Sequence, residues 1–135
     1  MSLADRLPAQ TRTARFWTIA IFIWFLLLCF LSHGDHGVKP PDLGIPQLDK
    51  VAHFGYFFGG GGLLAAALFF RKNRFTWTRI ILTTVGILAL VGIFDEWHQS
   101  FFANRTGNDP LDWAADVLGA LCGSLVFKKC HRIFG

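Results

Sequence analysis

Four long apolar runs, at residues 16–31, 50–70, 78–94 and 111–127, limit what this chain can fold into. Each is close to the length of an α-helix that crosses a bilayer, about 20 residues at about 1.5 Å per residue. The first run, Phe16–Leu31, is near the lower limit, and Ala14 and Ser32 can extend it. Composition removes the soluble alternative. The 135 residues are 53% hydrophobic and 16% charged, against roughly 25% charged in an ordinary soluble domain. So few charges could not cover this much apolar surface in water, whereas a bilayer removes the need. The expected fold class is all-α, a four-helix transmembrane bundle formed as a single domain over residues 1–135.

Residues 1–15 read as a short polar tail. Phe16–Leu31 reads as an uncleaved first span. The alternative is a cleaved signal peptide, with Ser32-His33-Gly34 as a small-x-small cleavage site, but the run exceeds the roughly 7–15 residues of a signal's apolar region. A loop follows, rich in helix breakers: Gly34, Gly37, Pro40, Pro41, Gly44 and Pro46. Asp49-Lys50 opens the second run and Arg71-Lys72-Asn73-Arg74 closes it. Cys29, Cys122 and Cys130 lack metal-like spacing and are expected to be free thiols.

The net charge of +4 comes from basic clusters beside the apolar runs. This placement suits membrane topology rather than nucleic-acid binding. Ten of the thirteen basic residues lie in the two terminal tails and the 71–79 connection. The other loops hold Lys39, Lys50 and Arg105. The positive-inside rule then predicts a multi-pass membrane protein with both termini cytoplasmic. Trp17 and Trp77 fall at the inner interface, and Trp97 and Trp113 at the outer one.

Between the third and fourth runs, Gly92–Asp116 holds five of the nine acidic residues, including the one glutamate, Glu96. Polar residues enter the apolar segments at three places on one predicted side, two of them within this stretch. On span two, Asp49, His53, Tyr56 and Gly60 recur at helical spacing and share a stripe. On span three, Gly92, Asp95 or Glu96, and Gln99 share a face. On span four, Asn108 or Asp109 can cap the helix before Pro110. Asp112 and Asp116 then lie about 6 Å apart along the axis. Gly119 and Gly123 continue that stripe and permit close packing, as does the run Gly59–Gly62. Asp49 is a second candidate cap. Carboxylates inside a span are functional candidates by default, and Asp116 is expected to face the bundle interior near a polar group of span two or three. The competing reading is a buried ion-pair network that only holds the bundle together.

Asp49-Lys50-Val51-Ala52-His53-Phe54 with Tyr56, Asp95-Glu96-x-x-Gln99, Arg105, and Asp112 with Asp116 and Gly119 resemble the motifs of the VanZ-like family of small bacterial membrane proteins. The resemblance covers roughly residues 49–125. It implies a four-span helical membrane domain, a place in the bacterial inner membrane and a link to glycopeptide resistance, in particular to teicoplanin.

Three functions are compatible with these residues. The first is binding or handling of a cell-wall lipid or precursor in the envelope, with Asp49, Lys50, Tyr56, Asp95, Gln99 and Arg105 as ligand-binding residues. Lys50, His53 and Arg105 would meet its phosphate or carboxylate. The expected partner is a membrane lipid, with a cell-wall precursor or a glycopeptide as further candidates. The second is a membrane-embedded hydrolase or transferase acting on a lipid-linked substrate. His53, Glu96, Asp112 and Asp116 would then be catalytic, by acid–base chemistry or by jointly holding a divalent cation. No Gly-x-Ser-x-Gly or His-Glu-x-x-His motif is present. The third is a structural or assembly role. No particular cofactor is indicated.

Topology yields the first prediction. Single cysteines introduced at His36 and Asn104 should react with a membrane-impermeant reagent from outside the cell, and cysteines in the tails or the 71–79 connection should not. Labelling of position 104 only from the cytoplasmic side would reverse the assignment.

Overall fold

A computed structural model describes residues 8–33, 47–71, 75–102 and 107–134. Four α-helices carry the fold: α1 (Ala14–Ser32), α2 (Leu48–Phe69), α3 (Trp77–Gln99) and α4 (Pro110–Cys130). Short 3-10 turns precede α1 at Ala9–Arg12 and follow α4 at His131–Ile133. All four helices are long and apolar enough to cross a membrane, as a multi-pass membrane protein requires. The described residues form no strand.

Local chemistry explains three of the four helix starts. The side chains of Thr13, Thr76 and Asp109 accept from the backbone N–H groups of Phe16, Arg79 and Leu111 and so cap α1, α3 and α4. Pro110 occupies the first turn of α4, where its missing N–H costs nothing. Asp49 is not the cap of α2. Gln47 holds that position in a left-handed conformation, φ 62°, with no side-chain cap. Asp49 instead stands in the first turn, where the helix dipole favours a carboxylate. The third span also runs past its apolar limit at Phe94, to Gln99. Asp95, Glu96 and Gln99 are buried within the bundle. Polarity does not end the helix there because each finds an internal partner.

Helix packing depends on small residues. A Cβ on Gly119 or Gly123 would strike the backbone carbonyls of Phe54 and Phe58 on α2. One on Gly61 would strike the backbone of Ala120 on α4. Helices α2 and α4 therefore touch backbone to backbone along both small-residue stripes. Helix α1 lies against α2 through a reciprocal pair: Trp24 Nε1 donates to the Tyr56 carbonyl at 3.1 Å, and the Tyr56 hydroxyl donates to the Trp24 carbonyl at 2.8 Å. Phe57, Leu28, Leu88 and Ala120 fill the core beside them.

The two ends of the bundle differ. Trp17, Phe69, Trp77, Phe127, His131 and Phe134 stack together at one end. The buried carboxylates gather at the other. Between the ends, large apolar side chains such as Phe22, Leu82, Leu90 and Leu118 point outward and are more than half exposed. That surface is suited to lipid.

Packing yields the second prediction. Gly123→Ala should destabilise the folded chain by roughly 1–3 kcal/mol, the usual cost of overpacking. Gly59→Ala, inside α2 where an added Cβ meets nothing within 4 Å, should be neutral to stabilising, by up to about 1 kcal/mol. Thermal unfolding of the two variants in lipid nanodiscs compares them directly.

Candidate functional site

Three helix ends converge at the polar end, and the outermost group is built around Lys50. Its Nζ lies 2.9 Å from Asp49 Oδ2, 2.9 Å from Asp109 Oδ2 and 2.9 Å from Asp112 Oδ1. An ammonium has three hydrogens, and each has a carboxylate here. This changes the expectation that Lys50 meets a ligand's phosphate or carboxylate, because no donor on Lys50 is left for one. Asp109 serves twice, since its other oxygen caps α4 at 2.8 Å from Leu111 N. The Lys50 ammonium holds the Asp109 carboxyl below the usual carboxylate range, with the cap hydrogen bond adding to the effect. Arg105, the other expected anion-binding residue, lies outside the described residues.

One turn deeper on α2, His53 turns toward α4 and α3. Its Nδ1 lies 2.9 Å from Asp116 Oδ1. Its Nε2 lies 3.9 Å from Glu96 Oε1. Asp116 is fully buried, as its position on the small-residue face of α4 requires. It reaches His53 because α3 offers Gly92 at the crossing. A Cβ on Gly92 would lie 2.8 Å from Asp116 Oδ2 and 3.2 Å from the Trp113 ring. As a carboxylate, Asp116 can only accept, so it places the imidazole proton on Nδ1 and leaves Nε2 facing Glu96.

Glu96 is held by one oxygen and free at the other. Its Oε2 accepts from the Asp109 backbone N–H at 2.8 Å. Its Oε1 is buried and has no hydrogen-bond partner, and Asp116 Oδ2 is in the same position. Such atoms are costly to bury, at roughly 1–3 kcal/mol each. Of the three such side-chain atoms among the described residues, Thr84 Oγ1 lies about three turns away on α3, and the other two belong to this cluster, which marks it as a candidate site. His53, Glu96 and Asp112 each direct one ligand-type atom to this place, all within 4.8 Å of one another.

The remaining expected site residues face elsewhere. Asp95 is buried, accepting from the Ser32 hydroxyl on Oδ1 and from Gln99 Nε2 at 2.9 Å on Oδ2. Its Oδ1 joins α1 to α3, and its Oδ2 is held from within α3 by Gln99. Tyr56 gives its hydroxyl hydrogen to the Trp24 carbonyl. The structure therefore brings together Asp49, Lys50, His53, Glu96, Asp112 and Asp116, and uses Tyr56 and Asp95 to join helices, with Gln99 bracing Asp95 from within α3. Two participants go unrecognised in the sequence reading. Ser32 is read there only as an extension of a span, yet it continues the α1 stripe of Trp17, Ile21, Trp24 and Leu28 at helical spacing. Asp109 is read only as a cap.

The arrangement can transfer or hold a proton at His53 Nε2, with Asp116 stabilising the imidazolium. It can also take up a positive charge, since five carboxylates surround one lysine and one histidine.

The third prediction follows from the His53–Asp116 pair. Asp116→Leu leaves a buried imidazole N–H without an acceptor and should cost about 1–3 kcal/mol in thermal unfolding, with reduced expression. Asp116→Asn keeps an acceptor oxygen and the side-chain shape. It should express normally and yet impair function, read as failure to restore a deletion phenotype that the wild-type chain restores.

No curated protein and no solved structure matches the chain. A family model described as VanZ/LLP1 matches residues 6–134, nearly the whole length. With its four apolar helices and the polar cluster at one end of the bundle, the chain belongs to the VanZ/LLP1 family.

Proposed function

We propose that this protein binds and handles a lipid-linked precursor of the bacterial cell wall at the outer face of the inner membrane. The observation that carries this reading is the pair of facing atoms His53 Nε2 and Glu96 Oε1, 3.9 Å apart. They lie between helices of a membrane protein, about one turn below the rim made by Asp49 and Lys50. In the proposed orientation this depth suits the junction of a lipid headgroup and its acyl chains. Glu96 and Asp116 are each braced on one oxygen, by the Asp109 N–H and by His53, and each keeps its other oxygen buried without a partner. Intramembrane ionisable groups kept in this state are characteristic of binding and transfer sites. Ten of the thirteen basic residues belong to the tails and the 71–79 connection, which supports placing the polar end outside the cytoplasm. The family's association with glycopeptide resistance, to teicoplanin in particular, also directs attention to the cell wall.

A second reading has its own support in the Asp116–His53 contact at 2.9 Å. A histidine oriented by a buried carboxylate can accept a proton from water or a hydroxyl as that oxygen attacks a lipid-linked substrate. The protein would then be a hydrolase or transferase for the same class of ligand.

The fourth prediction tests the binding reading. Lipids carried by the purified wild-type protein should be enriched in one envelope precursor relative to the surrounding membrane, as read by mass spectrometry. Glu96→Gln and His53→Gln should lower that enrichment at least tenfold, and Lys128→Ala, at the aromatic end, should leave it unchanged. A lipid profile identical to the bulk membrane in the wild type would overturn it. Conversion of the bound lipid during incubation would select the enzymatic reading.

A further inference from the structure

We infer that His53, Glu96 and Asp112 form a binding site for one divalent transition-metal ion, with Asp116 orienting the histidine. Three features of the geometry lead there. First, the donor atoms converge. One atom from each of the three residues lies within 4.8 Å of the others, and His53 Nε2 stands 3.9 Å from Glu96 Oε1. Ligands at about 2.0–2.2 Å from a metal sit roughly 3–4 Å apart, so the set needs only a small contraction to close on an ion.

Second, each residue is braced on an atom other than the free donor or by a neighbouring helix. Asp116 takes His53 Nδ1 at 2.9 Å. The Asp109 backbone N–H takes Glu96 Oε2 at 2.8 Å. Lys50 takes Asp112 Oδ1 at 2.9 Å. A carboxylate on the far nitrogen of a ligating histidine is the common supporting contact of protein metal sites. It fixes the tautomer and raises the basicity of the ligating nitrogen.

Third, Glu96 Oε1 is a buried carboxylate oxygen with no hydrogen-bond partner, on a residue that is 4% exposed, and it points toward His53 Nε2. A cation at that point gives it a partner.

A second acidic trio, Asp49, Asp109 and Asp112, has similar spacing. It already surrounds a cation, the Lys50 ammonium, at 2.9 Å from each member, and it is not a metal site. One nitrogen and two carboxylate donors suit Zn²⁺ or Mn²⁺, with imidazole disfavouring Mg²⁺ and Ca²⁺. Three protein ligands leave a coordination position open, as in catalytic rather than structural sites. An anionic headgroup oxygen or a water fits there. The role of the ion as a bridge to such a headgroup rests on the lipid reading above. Its binding does not, and a titration with metal alone separates the two.

The test uses the full-length, tag-free chain in nanodiscs, stripped with chelator and re-equilibrated with Zn²⁺ or Mn²⁺. Elemental analysis after gel filtration should find close to one ion per chain. Glu96→Gln and His53→Gln should each weaken binding at least tenfold. Asp116→Asn should weaken it by roughly ten- to a hundredfold, as loss of a supporting contact does. His131→Ala, at the opposite end, should bind as the wild type does. Because the site variants also touch the fold, a second readout uses the wild type alone. Co²⁺ should give the visible absorption of a low-symmetry nitrogen–oxygen site, displaced by one equivalent of Zn²⁺. Absence of a stoichiometric ion from the wild type, or full retention in both Glu96→Gln and His53→Gln, would overturn the assignment.

Discussion

The backbone contact between α2 and α4 is the constraint on which the rest depends. It requires Gly61 on one side and Gly119 and Gly123 on the other, since a Cβ at any of these meets main-chain atoms of the partner helix. In lipid no hydrophobic effect drives two apolar helices together, because lipid tails are as apolar as leucine. Close packing has to supply the attraction, and only small residues allow it. The same contact sets the site. Asp116 lies one turn before Gly119 on α4, and His53 lies next to Phe54, whose carbonyl lies against Gly119. Helices held this close leave the two side chains no direction except toward each other, and the 2.9 Å contact follows.

A second constraint is electrostatic. Asp49, Asp109, Asp112, Asp116 and Glu96 crowd into one end of a bundle that otherwise presents apolar side chains. Lys50 makes this tolerable at the rim by contacting three of the five. Inside the rim the compensation is incomplete. Glu96 and Asp116 each retain a buried oxygen without a donor. A purely structural network would be expected to satisfy these atoms, because a half-satisfied buried network is worse for stability than an apolar core. Asp95 shows what a structural carboxylate looks like in the same fold, with both oxygens taken by Ser32 and Gln99. The contrast between Asp95 and its neighbour Glu96 separates a packing residue from a candidate site residue.

Much of the fold was legible because the signals are local. Apolar run length identifies the spans, Asp109-Pro110 marks the start of α4, and the Gly119–Gly123 spacing shows which face of α4 can pack. The end of α3 was not legible. The apolar run stops at Phe94, and although Asp95 or Glu96 and Gln99 share a helical face beyond it, the partners that let the helix continue, Ser32 and the Asp109 N–H, are 63 and 13 residues away in sequence. Lys50 misleads in the same way. Its neighbour Asp49 is visible as a partner, but Asp109 and Asp112 are 59 and 62 residues distant, so a saturated lysine reads as a free one. Tyr56 shares a stripe with Asp49 and His53, yet a helix is round enough for its hydroxyl to face Trp24 on α1. Residue spacing identifies which groups share a helix face; only packing identifies which of them still has an unused atom.

The site is also inseparable from the assembled bundle. His53 comes from α2, Glu96 from α3, and Asp112 and Asp116 from α4, so no single helix carries it. Before the helices associate, each carboxylate lies near its own helix end with access to water. After association, three helices place negative charge around one imidazole, and mutual repulsion opposes the packing that the glycines permit. A cationic ligand, or one whose cation bridges these groups, would bind only the assembled state and therefore stabilise it by an amount that grows with the logarithm of its concentration above Kd. Binding of such a ligand and association of the helices would be linked equilibria, coupled through the unsatisfied oxygens of Glu96 and Asp116.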